Sequence, residues 1–119
     1  MTNGSFDRAA LWNRLGGDAE LLRELVVIFS QESPGLLHSI GAAIEERSFQ
    51  DVQKLSHKLK GSALQFSGGK AAALAASLEQ MGVRRTLDGA DQVFSELEQE
   101  VAYLTRSLKS MASEKELRW

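Results

Sequence analysis

Residues 49–66, FQDVQKLSHKLKGSALQF, carry apolar side chains at successive spacings of three, three, four, four and three positions. These side chains are Phe49, Val52, Leu55, Leu59, Ala63 and Phe66. Because an α-helix turns once every ~3.6 residues, they form one apolar stripe on a helix that we expect over this segment. A single helix cannot bury such a stripe, so the segment requires partner helices.

A short helix is expected near the start of the chain, over residues 7–15. Leu11 and Trp12 face inward, Phe6 packs across the first turn, and Gly16-Gly17 ends the helix.

A long second helix begins after Asp18, whose carboxylate is a suitable N-cap. Pro34 lies inside this helix and lacks a backbone donor, so we expect a kink near residues 30–34 rather than a break. The apolar face is expected to comprise Leu21, Leu22, Leu25, Ile28, Phe29, Leu36, Ile40 and Ile44.

Two more amphipathic helices follow the Gly68-Gly69 pair. The first is expected over residues 70–81, with Gly82 in the left-handed position that ends a helix. Its inward residues are Leu74, Leu78 and Met81. The last helix carries Phe94, Leu97, Val101, Leu104, Leu108 and Met111, which alternate three and four positions apart.

An antiparallel up-down-up-down bundle is the simplest arrangement in which four long amphipathic helices with short connections bury their apolar stripes. We therefore expect an all-α domain, a four-helix bundle over residues 6–112 with the short extra N-terminal helix capping one end. Residues 1–5 are expected to form a flexible end and residues 113–119 a frayed tail, in which Trp119 has no assigned place.

The composition describes one small domain and excludes several classes of function. The chain has 119 residues, 43% of them apolar, and its 14 Lys and Arg against 16 Asp and Glu leave a net charge of −2. No overall positive field therefore draws it to nucleic acid or to an anionic membrane. Without cysteine it has no disulfide, thiolate nucleophile or sulfur-ligated zinc. No apolar run approaches the ~20 residues that span a bilayer, and we expect a cytoplasmic location.

His57 lies on the polar side of the third expected helix, about 145° from the centre of the apolar stripe. We therefore expect its side chain to be exposed to solvent. Lys54 and Lys60 project about 60° to either side of it. Gly61 lies about 40° away, and Leu64 lies almost directly above His57 along the helix axis.

Gly61 has two explanations. A glycine inside a helix costs roughly 1 kcal/mol relative to alanine, so its presence requires a reason. It either leaves the imidazole of His57 open to an approaching group or allows a neighbouring helix to come close. The sequence leaves both explanations open.

Three lysines and no acid between residues 54 and 60 make this segment strongly cationic. Lysine charges disfavour imidazolium, so they favour the neutral, nucleophilic form of His57. They would also lie beside any dianionic group carried on the ring. The alternative is an ordinary solvated lysine face that contributes only to solubility.

The segment His57-Lys58-Leu59-Lys60-Gly61-Ser62-Ala63 resembles the phosphoacceptor segment of histidine-containing phosphotransfer (HPt) domains of bacterial phosphorelays. The family pattern is His, any residue, an aliphatic residue, Lys, Gly, and then Ser or Ala. The resemblance extends from Phe6 and the turn at residues 15–18, through the proline-containing helix, to Leu78-Glu79 and the last helix. It implies a monomeric four-helix bundle whose exposed His57 takes a phosphoryl group from the aspartate of one receiver domain and passes it to another.

The resemblance also implies roles for individual residues. His57 would be the phosphorylated nucleophile, Lys60 would neutralise the phosphoryl oxygens, and Gly61 would admit the active site of the receiver. Glu79 lies where family members often carry a Gln or Glu that accepts a hydrogen bond from the other imidazole nitrogen. The alternative for Glu79 is an ordinary surface carboxylate.

Three further residues are candidates for contact with a receiver. Lys54 and Lys58 would attract its acidic pocket by general electrostatics, and Leu64 would offer it an exposed apolar side chain. Many family members carry Gly ten residues after the acceptor. Ser67 stands there in this chain, so we expect the helix ending to shift by about one residue.

The implied chemistry requires no cofactor of this chain, because the Mg²⁺ and the acidic pocket belong to the receiver. The domain is expected to be a carrier rather than an enzyme, either free-standing or the cytoplasmic C-terminal domain of a membrane-anchored hybrid sensor kinase. Neither His57 nor His38 lies in an HExxH arrangement, and the chain has no Gly-rich phosphate loop. The remaining alternative is a non-catalytic helical adaptor or dimerisation bundle in which His57 is incidental.

Overall fold

The computed structural model describes residues 6–114 and consists, over that range, of five α-helices without a β-strand. The helices are α1 (Arg8–Arg14), α2 (Ala19–Glu45), α3 (Phe49–Gln65), α4 (Gly69–Arg84) and α5 (Ala90–Ala112). None of them is both long and apolar enough to cross a membrane.

The four long helices form a closed bundle, in which α3 packs on α2 and α4, and α5 completes the ring by packing on the same two helices. The end of α4 approaches the start of α3 at Gly82 and Phe49, and the start of α2 meets the end of α5 at Arg23 and Ala112. Neighbouring helices therefore run antiparallel. The expected all-α, up-down-up-down bundle with a short N-terminal helix is confirmed.

The apolar stripes of the helices meet in one core, but the face predicted for α2 is partly wrong. Leu21 and Ile28 are 37% and 49% exposed, whereas Val26 is buried. Each of the two exposed residues directly precedes a buried one, Leu22 or Phe29, and so lies about 100° round the helix from it. The buried stripe of α2 is therefore narrower than its run of apolar residues.

The first two helices begin at aspartate caps, of which only Asp18 was expected. Asp7 accepts a hydrogen bond from the backbone N–H of Ala10 at 3.0 Å, and Asp18 accepts one from Leu21 at 2.9 Å. The expected stop at Gly16-Gly17 is also present, with φ angles of +66° and +73°. α2 then continues through Pro34 without the break that a proline can cause, as expected, and the kink near residues 30–34 stays a prediction.

The role predicted for Gly82 is wrong, because α4 continues past it to Arg84. Arg85, with φ 58°, takes the left-handed position instead. Gly82 is buried against α3, and a Cβ there would lie 2.7 Å from the backbone nitrogen of Gln53 and from the carbonyl oxygen of Phe49. The glycine therefore permits a close approach of α4 to α3.

The connection between α3 and α4 turns at Ser67. This residue adopts φ 56°, and the following Gly68 N–H donates to the carbonyl of Ala63 at 2.8 Å. Ser67 therefore takes the left-handed conformation itself, so the expected one-residue shift of the helix ending is wrong. Gly68 lies close to α5 and to the end of α3, because a Cβ there would lie 2.7 Å from Leu104 Cδ2 and 3.2 Å from the carbonyl oxygen of Ala63.

Arginines near the N-terminus hold the ends of the bundle together. Arg14 donates to the carbonyls of Leu64 and Gln65 at the end of α3. Arg23 donates to the carbonyls of Ala112 and Glu114, and the Glu114 carboxylate pairs with Arg8. The flexible end expected at residues 1–5, and residues 115–119 of the expected tail with Trp119, lie outside the described residues.

Candidate functional site around His57

His57 lies near the middle of α3, on the side that faces solvent and the edge of α4. Its side chain is 67% exposed, which agrees with the expectation from its position opposite the apolar stripe. Its Nδ1 lies 2.8 Å from Oε2 of Glu79 on α4. The contact at Gly82, one turn after Glu79, brings the two helices close enough for this hydrogen bond.

Glu79 also contacts a second group of the predicted site. Its Oε1 lies 2.7 Å from Nζ of Lys60, so one carboxylate joins the lysine and the imidazole. The hydrogen bond from Lys60 is the main reason that the pKa of Glu79 lies below its ordinary value. Burial acts in the opposite direction, and the hydrogen bond from His57 adds to the lowering. Glu79 is therefore an ionised carboxylate at neutral pH.

The ionised Glu79 determines which tautomer of the imidazole is bound. An ionised carboxylate only accepts hydrogen bonds, so Nδ1 of His57 must carry the hydrogen and donate it. In the neutral ring this leaves the lone pair on Nε2. The site therefore presents an exposed imidazole held at one nitrogen and nucleophilic at the other.

Gly61 lies one turn after His57 and is exposed. A Cβ built at Gly61 would meet no atom within 4 Å, in contrast to Gly82 and Gly68. No neighbouring helix within residues 6–114 therefore needs this space, and that explanation of Gly61 is wrong. What remains is that the space beside the imidazole is open to an approaching molecule.

The other predicted contact residues surround His57 on the exposed side of α3. Lys54 and Lys58 are exposed, and neither forms an ion pair with another described residue. Leu64 is 49% exposed, although its backbone carbonyl is bound by Arg14. Because Lys60 is paired with Glu79, the two unpaired cations nearest His57 along α3 are Lys54 and Lys58.

The sequence did not indicate three features near this site. The pairing of Lys60 with Glu79 joins helices α3 and α4, and only their relative register could reveal it. Ser56, next to His57, is fully buried, and its hydroxyl has no hydrogen-bond partner within residues 6–114. An open groove between α2 and α3 was also not foreseen.

Other chemistry finds little support in the part of the chain that the structure describes. No group of three or more His, Asp or Glu residues there is arranged to hold a metal ion. His38, to which the sequence assigned no role, is exposed on α2 beside Glu45 and Asp91.

Comparisons with known proteins agree with this geometry. The fold is similar to the crystal structure of histidine-containing phosphotransfer protein B from Pseudomonas aeruginosa PAO1, with a TM-score of 0.86 and 21% sequence identity over 93% of this chain and 96% of that chain. No curated protein matches the sequence. The family model of the Hpt domain matches residues 24–107, which is well over half of the chain. The chain therefore belongs to the Hpt domain family.

Proposed function

We propose that His57 is the phosphoryl acceptor of this Hpt domain, which acts as a phosphoryl carrier in a phosphorelay. The observation that carries the assignment is the exposed imidazole whose Nδ1 is bound by the ionised Glu79. This arrangement leaves Nε2 as the nucleophile. The donor is the phosphorylated aspartate of one receiver domain, and the acceptor is the aspartate of another.

The transfer step needs no co-reactant from this chain. The Nε2 lone pair attacks phosphorus, the N–P bond forms, and the bond from phosphorus to the aspartyl oxygen breaks. The electron pair of that bond returns to the aspartate carboxylate of the receiver. The phosphorylated ring becomes positively charged and keeps its Nδ1 hydrogen, which it donates in a hydrogen bond to the carboxylate of Glu79. The onward step is the reverse reaction on a second receiver.

The surrounding residues have supporting roles in this proposal. Glu79 is a positioning residue that holds the ring, and Lys60 lies beside the ring to neutralise phosphoryl oxygens. Gly61 leaves room for the receiver. Lys54 and Lys58 attract the acidic pocket of the receiver, which brings its own Mg²⁺, and this chain supplies no cofactor.

Leu64 completes the proposed contact with the receiver, as an exposed apolar residue on the same side of α3 as His57. The domain itself is a carrier and not an enzyme. We further propose that it works as a monomer in the cytoplasm, either free-standing or as the C-terminal domain of a membrane-anchored hybrid sensor kinase.

The test is phosphorylation of the purified protein by a phosphorylated receiver domain. We expect a label that is labile in acid and stable in alkali, as phosphohistidine is. His57→Gln abolishes the label without loss of helical circular dichroism, whereas the matched variant His38→Gln keeps it. A label that survives His57→Gln refutes the assignment. A protein that no receiver labels is instead the helical adaptor that the sequence left as the alternative.

A further inference from the structure

Lys54 lies within reach of the imidazole of His57. It precedes His57 by three positions on α3, and side chains three positions apart on a helix are neighbours, with ~5–6 Å between their Cβ atoms. The side chain of His57 also leans toward this preceding turn, because each Cβ of a helix points toward the helix N-terminus. A lysine carries its amine on a flexible four-carbon stem. The amine of Lys54 can therefore meet the ring.

The hydrogen bond to Glu79 directs the nucleophilic nitrogen of His57 toward the side of Lys54. Glu79 holds Nδ1 at 2.8 Å, on the side of α3 where Lys60 projects. The two nitrogens of an imidazole point in different directions, so Nε2 points away from Glu79. Lys54 projects about 60° round the helix from His57, in the direction opposite to Lys60. The lone pair of Nε2 and the amine of Lys54 thus share one side of the ring.

The amine of Lys54 is accessible, unlike that of the other lysine one turn from the imidazole. Lys54 is exposed and forms no ion pair within residues 6–114. Asp51, the acid one turn before it, accepts a hydrogen bond from the Ser48 hydroxyl at 3.0 Å. Lys60, in contrast, lies 2.7 Å from Glu79, and only 29% of its side chain is exposed. Its ammonium is therefore engaged and shielded from a reagent.

Two other exposed lysines lack a histidine in the right place. Lys58 is unpaired within the described part of the chain, but it directly follows His57, and consecutive residues of a helix project about 100° apart and do not face each other. Lys109 on α5 has no histidine within one turn. Among the lysines of residues 6–114, only Lys54 combines an exposed, unpaired amine with a histidine one turn away.

The charges around His57 favour an anionic reagent. The segment from residue 54 to residue 60 carries three lysines and no acid. An acyl phosphate, in which a carboxylic acid is joined to phosphate, is an anion whose acyl carbon is open to nucleophiles such as a neutral imidazole. The acylated ring is cationic and still donates its Nδ1 hydrogen to the carboxylate of Glu79. The geometry that suits phosphoryl acceptance therefore also suits acyl acceptance.

We propose that His57 also accepts acyl groups from acyl phosphates and passes them to Lys54, which makes Lys54 an acylation site of this domain. Nε2 attacks the acyl carbon, the N–C bond forms, the bond from that carbon to the phosphate oxygen breaks, and inorganic phosphate leaves with its electron pair. The unprotonated amine of Lys54 then attacks the same carbon, and the electron pair of the broken bond returns to Nε2. The new amide nitrogen loses a proton to solvent.

Acylation replaces the cationic amine of Lys54 with a neutral amide. Lys54 attracts the acidic pocket of a receiver in the proposed function, so the modified protein meets receivers more slowly. This regulatory consequence rests on the proposed function, whereas the acyl transfer itself does not require a receiver.

The first test incubates the purified protein with acetyl phosphate and follows each lysine by peptide mass spectrometry, which distinguishes acetyl from phosphoryl groups. We expect Lys54 to be acetylated at least about tenfold faster than Lys58 or Lys109. His57→Gln lowers the rate at Lys54 to that at Lys109, whereas the matched variant His38→Gln leaves it unchanged. Equal rates at the three lysines, or a fast rate at Lys54 that survives His57→Gln, refute the proposal.

The second test looks for the acyl group on the ring. Lys54→Arg blocks the second step, so rapid mass spectrometry of this variant should find the acetyl group on His57. Its absence overturns the covalent step through the imidazole. Thermal unfolding of both variants, His57→Gln and Lys54→Arg, followed by circular dichroism, checks that the bundle is intact.

The outcomes separate this inference from the proposed function. If receivers label His57 but Lys54 reacts no faster than Lys109, acyl transfer is refuted and the phosphoryl acceptor stands. If Lys54 is acetylated rapidly but no receiver labels the protein, acyl transfer stands and the proposed function fails. Receivers should transfer more slowly to protein acetylated at Lys54 than to unmodified protein, and an equal rate refutes the regulatory consequence.

Discussion

Gly61→Ala is expected to make this protein more stable and a poorer phosphoryl acceptor. Alanine is favoured over glycine inside a helix by about 1 kcal/mol. No contact within residues 6–114 offsets this gain, because a Cβ at Gly61 would meet none of their atoms within 4 Å. The free energy of unfolding should therefore rise by about 1 kcal/mol. For a chain of 119 residues this corresponds to an increase in Tm of about 4 °C.

The measurement is urea and thermal unfolding followed by far-UV circular dichroism, with Gly82→Ala as the matched variant. Both substitutions replace a glycine inside a helix, so the gain in helix propensity is the same. At Gly82 the new Cβ would lie 2.7 Å from backbone atoms of Phe49 and Gln53, and relief of such overpacking costs about 1–3 kcal/mol. We expect Gly82→Ala to be less stable than Gly61→Ala by at least about 1 kcal/mol.

The functional half of the same prediction is measured by transfer from a phosphorylated receiver. Gly61→Ala should slow this transfer, because the added methyl group occupies space beside His57 that a docking receiver uses. The reasoning is refuted if Gly61→Ala destabilises the bundle, because Gly61 would then have a packing role. It is equally refuted if the more stable variant accepts phosphoryl groups from receivers as fast as the wild type.

Four more variants test other parts of the structure. The pKa of Glu79 is lower in the folded state than its ordinary value of 4.5. The ionised Glu79 therefore stabilises the fold fully above pH 4.5, and this stabilisation is lost as the pH falls through the pKa of the folded state. Urea unfolding across this acid range should therefore show wild-type protein losing stability relative to Glu79→Gln. Ser67→Gly removes a side chain from a residue with φ 56°, and with it a buried hydroxyl that has no partner among the described residues. Its free energy of unfolding in urea should therefore rise by about 1 kcal/mol. In the neighbouring variant Gly68→Ala, the new Cβ would lie 2.7 Å from Leu104 Cδ2. Its free energy of unfolding should therefore fall by about 1–3 kcal/mol. Ser56→Ala removes a second buried hydroxyl, which has no partner in the part of the chain that the structure describes, so the melting temperature of this variant should equal or exceed that of the wild type. A clear decrease would show that the hydroxyl is hydrogen-bonded.

Local features of the chain were enough to predict the helices and the exposure of His57. The spacing of apolar residues located the four long helices, and Asp7 and Asp18 marked the starts of α1 and α2. The exposure of His57 followed from its angle to the apolar stripe of α3. Each of these properties depends on residues within a few turns of one another, so the order of side chains along one helix contains the information.

Properties that depend on two helices could not be obtained in this way. Lys60 and Glu79 are nineteen positions apart, and their ion pair exists because Gly82 sets the distance and register between α3 and α4. Leu21 and Ile28 are as apolar as the residues beside them, but the neighbouring helices cover only one side of α2. Periodicity describes the faces of a single helix, whereas the contact between two helices depends on how their surfaces fit. The resemblance implied the contact of Glu79 with His57, but only the tertiary structure decided that the same carboxylate also holds Lys60, and where the groove between α2 and α3 opens.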